Sequence, residues 1–133
     1  MDTCFKKLGK SPIRALVEQF IDAVTEAYGP DAWVEYYGFR ALPLPDDYIE
    51  LDPTLKALSE KRKFRIGVLS MPPNSSYIWH ADSPRHSTIN MLIRDGGDSK
   101  SLFAPNGVEY LVPIVELRYE PDTLYAFNTE IMH

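Results

Sequence analysis

The residues able to do chemistry are concentrated at His80-Ala81-Asp82, near the head of the stretch YIWHADSPRHSTINMLIR, residues 77–94. In an extended segment, residues i and i+2 point to the same face, so this imidazole and carboxylate converge on one point. A neutral imidazole and a hard carboxylate suit a divalent first-row metal. Two histidines plus one carboxylate, with the remaining positions open, form the facial donor set that holds non-haem Fe(II). The pair therefore needs a second histidine, and the chain has three. His86 follows closely, across Ser83-Pro84-Arg85, where a turn could bring it near but Pro84 and Arg85 steer it towards the surface. His133 lies far down the chain, after TLYAFN (residues 123–128) and the connection TEIM. In an antiparallel fold such a late strand can return beside the His80 strand. A plainer reading stands beside this one. A neighbour satisfies His80, Asp82 opens the turn before Pro84, and His133 has no role.

The elements that must position these residues are readable in outline. Residues 1–10 form a lead-in. Ser11-Pro12 opens a helix, Ser11 as its cap and Pro12 at the first helical position. Its apolar stripe is Ile13, Leu16, Val17, Phe20, Ile21 and Val24. Tyr28-Gly29-Pro30 ends it. A strand is expected over 32–37. Residues 41–45, with two prolines, are expected to be irregular or edge structure. A short helix capped by Asp52 follows over 53–61. From Phe64 the pattern turns to β, with strands expected at 64–71, 77–82, 87–94, 101–104, 109–111, 115–119 and 123–127. Turn signals separate them. Many short strands at this spacing predict a barrel or sandwich. With helices only at the front, the expectation is mainly β with N-terminal helices, a jelly-roll-like barrel. One domain, 1–133, is expected, with 1–63 as a helical support and 64–133 as the β core.

Composition bounds the function. Hydrophobic residues are 44% and charged residues 25%, the balance of a soluble globular protein. The net charge is −5, and no basic cluster exceeds Lys61-Arg62-Lys63, which argues against nucleic acid or a membrane surface as partner. No apolar run is long enough to span a bilayer. The single cysteine, Cys4, cannot form an internal disulfide. It is expected to sit in a loose terminus without a role, and a reducing cytoplasm is the expected location.

The order H-x-D, an Asn-bearing apolar strand, a Pro-Asn-Gly turn, then PDTLYAFN and a final His resembles the 2-oxoglutarate- and Fe(II)-dependent oxygenases. It is closest to small prolyl-hydroxylase-like and aspartyl/asparaginyl-hydroxylase-like members. The resemblance covers residues 64–133. It implies a double-stranded β-helix, a cupin-like barrel, with His80, Asp82 and His133 as metal ligands. It also implies Fe(II), 2-oxoglutarate as cosubstrate and O2, with succinate and CO2 released as an unactivated C–H is hydroxylated. A protein or peptide side chain is the substrate class it suggests. In most such enzymes a basic residue on the strand after the distal histidine pairs with the far carboxylate of 2-oxoglutarate. The sequence stops at His133, so that strand is expected to be missing, or the cosubstrate to be held elsewhere. Some branches use the strand after H-x-D, and Arg94 is the basic residue there. Thr88, Asn90, Leu92 and Arg94 share one face, and Ile89, Met91 and Ile93 share the other. The more apolar face ordinarily goes inside, which would put Arg94 in solvent. The opposite orientation would turn Asn90 and Arg94 towards the cosubstrate. A hydroxyl from Tyr77 or Tyr110 is a further candidate, and Arg85 suits a substrate carboxylate or a structural pair. The rival classes are a cupin-like metalloprotein without 2-oxoglutarate turnover and a jelly-roll binding protein without metal.

Overall fold

The computed structural model describes residues 4–36, 38–77, 79–81, 87–95, 98–105, 114–131 and 133. Among them, eight strands form three antiparallel sheets, accompanied by three short-to-medium α-helices. The chain is thus mainly β, and no closed barrel is formed among the described residues. No helix among them is long and apolar enough to cross a membrane. The chain divides into two compact units, Met1–Lys10 with Ile78–His133, and Ser11–Tyr77.

The first unit is built on β8 (Thr123–Asn128), which lies between β1 (Phe5–Lys10) and β5 (Ser87–Asn90). Thr123, Leu124, Tyr125 and Phe127 are all buried. The supposed lead-in is therefore a strand. Phe5 opposes Phe127 and Lys10 opposes Thr123, with a bulge between Lys7 and Gly9. Gly9 takes φ 123, a conformation open to glycine and strained for other residues. A separate hairpin pairs β6 (Lys100–Phe103) with β7 (Val115–Arg118). Phe103, Leu117, Tyr125, Phe127 and Cys4 form the core, with Phe5, Val115, Tyr119 and Ile131 packed on it. Cys4 is thus buried and not in a loose end. Its burial pushes the thiol pKa up, which keeps it protonated and unreactive.

Two sequence expectations for β5 change. The strand ends at Asn90, well before Arg94. Its half-buried face carries Thr88 and Asn90, while Ile89 is 36% exposed. Register explains this. Thr88 opposes Phe127 and Asn90 opposes Tyr125, and directly opposed side chains share a face, here the face of the aromatic core. Apolar content alone pointed to the wrong face.

At the β7–β8 turn, the Lys7 ammonium lies 2.6 Å from the Glu120 carboxylate. The Tyr125 hydroxyl accepts from the Glu120 N–H at 3.0 Å and donates to its carboxylate at 3.3 Å. The hydrogen bond and charge of Lys7 hold the Glu120 carboxyl below its usual range, and Glu120 in turn raises Lys7. A lowered folded pKa gives stability that is present above the ordinary glutamate value and lost as pH falls through the folded one. Glu120→Gln is therefore expected to flatten the acid limb of a thermal-unfolding profile. The change should be small, because the pair is exposed.

In the second unit, α1 (Arg14–Tyr28) buries Val17 and Ile21 in line with Ile13, while Leu16 is 38% exposed and falls off the expected stripe. Gly29 at φ 61 ends the helix, followed by a 3-10 turn at Gly29–Ala32. Strand β2 (Val34–Tyr36) pairs with β3 (Phe39–Pro43), which pairs with β4 (Gly67–Ser70). The proline-bearing segment is thus the central strand. It tolerates Pro43 because that residue is the last of the strand, while Leu42, opposite Val68, is buried with it. A short helix α2 (Asp47–Glu50) precedes α3 (Pro53–Ser59).

Asp52 caps α3 as the sequence indicates, accepting from the N–H groups of Thr54 at 2.9 Å and Leu55 at 3.2 Å. Ser11 does not cap α1 from the expected position. Its buried hydroxyl donates to the other Asp52 oxygen and receives a long 3.4 Å contact from Ile13 N–H. Asp52 is 0% exposed. Asp52→Ala removes a cap and strands a buried hydroxyl, so it is expected to cost about 2–3 kcal/mol in chemical denaturation. Asp52→Asn, which retains an acceptor, should recover much of that.

Candidate metal centre

Strand β8 ends at Asn128, and a turn then carries the chain back towards His133. The Ile131 N–H donates to the Asn128 carbonyl at 3.2 Å, and the Glu130 N–H donates to Asn128 Oδ1 at 3.2 Å. Thr129 within this turn is 1% exposed. The turn is therefore part of the packed structure.

Beyond it, His133 meets His80 backbone to backbone. The His80 N–H donates to the His133 carbonyl at 3.0 Å, and the His133 N–H donates to the His80 carbonyl at 2.9 Å. This two-way exchange is the hydrogen-bonded pair of an antiparallel ladder, which puts both side chains on one face. The ring centroids lie 4.3 Å apart, with the planes at 53°. Both residues are half-buried. On the core side, the His133 ring lies 6.0 Å from Phe103 and 6.4 Å from Phe127, centroid to centroid. These aromatic rings shield one side of the histidine from water.

The His133 Nδ1 is 2.7 Å from the Ile131 carbonyl oxygen. A carbonyl has no proton to give, so Nδ1 is the donor. In the neutral ring the lone pair is then on Nε2. An N–H to carbonyl bond on one ring nitrogen is the usual outer support for a histidine that binds metal through the other. Two imidazoles about 2.1 Å from one ion and roughly at right angles would bring their ring centres to about 4.5 Å. The observed centroid separation, 4.3 Å, is close to that value.

The other sequence candidates fall as follows. Asp82, Arg85 and His86 lie outside the described residues, as do Tyr110 and the strand expected at 109–111. Among the described residues no group of three or more His, Cys, Asp or Glu side chains is gathered for a metal. Tyr77 and residues 79–81 are not in a strand. Tyr77 belongs to the second unit, where its ring stands edge-on to Phe39 at 5.4 Å. Asn90 closes β5, and its amide donates to the Thr88 hydroxyl at 3.0 Å. Arg94 is exposed, past the end of that strand.

Two features were not read from the sequence: the Ile131 carbonyl and the Asn128 side chain. The signal for Asn128 was present in the Phe-Asn ending of a strand, since asparagine readily forms such turns. The Ile131 carbonyl left no trace, because any residue supplies one. Comparison with protein families, with curated proteins and with solved structures found no match to this chain.

Proposed function

We propose that the chain is an Fe(II)- and 2-oxoglutarate-dependent dioxygenase that hydroxylates an unactivated C–H, with a protein or peptide side chain as substrate class. The observation that carries this reading is the paired His80 and His133, on one face with ring centroids 4.3 Å apart. His80, His133 and Asp82 would hold the iron, the donor set of a facial triad. Bound there with 2-oxoglutarate and O2, iron would supply the oxidising power for hydroxylation, with succinate and CO2 as coproducts. The chain's own task is orientation and exclusion of water. The backbone exchange sets the two histidines opposite each other on one face. The Ile131 carbonyl holds the proton of His133 at Nδ1. Phe103 and Phe127 keep water from one side of that ring.

For the cosubstrate, Arg94 is the proposed partner of the far carboxylate, since a guanidinium fork matches a carboxylate. Asn90 is the proposed nearby amide. A double-stranded β-helix is the fold this reading implies, and a reducing cytoplasm is the proposed setting for a chain with a lone buried thiol.

The test is succinate formation from 2-oxoglutarate with Fe(II) in air, for the wild-type chain and His80→Ala. Turnover that requires His80 is the expected result. Fe(II) binding without turnover would instead make this a metalloprotein that does not use 2-oxoglutarate. Absence of both would leave a binding protein.

A further inference from the structure

We propose that Asn128 is a positioning residue for His133, setting which ring nitrogen the histidine turns to a metal. The inference rests on the reading of His133 as a ligand. It adds a residue that neither the metal donor set nor the cosubstrate candidates include.

Asn128 is anchored by its backbone, whose N–H donates to the Cys4 carbonyl at 2.8 Å, and Cys4 lies in the core. Its side-chain oxygen accepts from the Glu130 N–H at 3.2 Å, and its carbonyl accepts from the Ile131 N–H at 3.2 Å. One residue thus closes the turn twice. The turn is clamped from the other side by the burial of Thr129 and by Ile131 packing on the core. Its product is the direction of the Ile131 carbonyl, which receives the His133 Nδ1 proton at 2.7 Å. That acceptor favours Nδ1–H over Nε2–H. With it, the neutral ring has its lone pair on Nε2. The side-chain bond of Asn128 therefore acts on the imidazole through the backbone of the turn.

The test reads the tautomer in the metal-free protein, from long-range proton–nitrogen NMR spectra of the histidine rings at alkaline pH. Wild type is expected to show His133 with its proton on Nδ1. Asn128→Ala is expected to lose that signature, while Asn128→Asp, which retains an oxygen for the Glu130 N–H, preserves it. Where the alanine protein does not fold, Asn128→Leu, the near-isosteric removal of the amide, takes its place with the same expected loss. Fe(II) affinity should fall about ten- to a hundredfold in the same deletion variant, the usual effect of losing a ligand's outer support. An Nε2–H ring in wild type overturns the proposal. So does an Nδ1–H ring that persists in the deletion variant, or a loss that the aspartate fails to rescue. The tautomer is read without metal, so it decides the positioning role by itself. A wild-type chain that binds no Fe(II) would overturn the metal reading of His133 instead.

Discussion

His80→Ala and His133→Ala are each expected to lower succinate formation by about a hundredfold or more while leaving the metal-free fold nearly as stable as wild type. The two halves of this expectation have different causes. On the proposed reading each imidazole supplies a metal bond that alanine cannot replace, and even losing an outer-shell partner typically costs 10–100-fold. The His80–His133 connection, by contrast, is made by main-chain N–H and carbonyl groups, which alanine keeps. Thermal unfolding without metal should therefore move little for His80→Ala. His133→Ala also loses ring contacts with Phe103 and Phe127, so its metal-free stability should fall somewhat further. Adding Fe(II) anaerobically separates the variants from wild type. A ligand at a hundred times its dissociation constant stabilises the folded state by about 2.7 kcal/mol. Wild type should show that gain, and both variants should lack it.

Phe103→Ala is expected to destabilise the first unit by about 3–5 kcal/mol, measured by chemical denaturation. Phe103 is 0% exposed and is surrounded by rings. Its centroid lies 5.1 Å from Phe127 in an edge arrangement and 5.6 Å from Phe5. Such pairs contribute about 0.5–1.5 kcal/mol each beyond simple burial. Its position spans the sheets, on β6 while Phe5 and Phe127 are on β1 and β8. Truncation therefore opens a cavity where two sheets meet, which neither can fill by a local shift. Against a typical net stability of about 5–15 kcal/mol this is a large share. Because the same ring backs His133, the variant should also bind Fe(II) more weakly than its loss of stability explains. Phe103→Leu, which fills more of the space, should do less on both counts.

What the sequence made legible was local. The α1 helix, the Asp52 cap and the strands β6, β7 and β8 carry their signals within a few residues, as periodicity, a capping carboxylate or flanking turns. What escaped was non-local. FKKLGK has no strand pattern of its own; it becomes β1 because β8 offers a ladder and a core for Phe5. The prolines of 41–45 argued against a central strand, yet Pro43 sits at the strand end, where a missing donor costs little. The face of β5 was misread because Ile89 is more apolar than Thr88 or Asn90, whereas the faces of Phe127 and Tyr125 decide the orientation. At the candidate site, the sequence supplied both histidines but not their relation. That relation depends on a backbone exchange and on the Ile131 carbonyl, neither of which has a residue-type signature.

The central claim is that His80 and His133 share one divalent ion. Anaerobic calorimetric titration of the wild-type chain with Fe(II), repeated for His80→Ala, tests it most directly. One ion per chain is expected in wild type, with that binding lost in the variant. Absence of binding in wild type, or equal binding in His80→Ala, would contradict it.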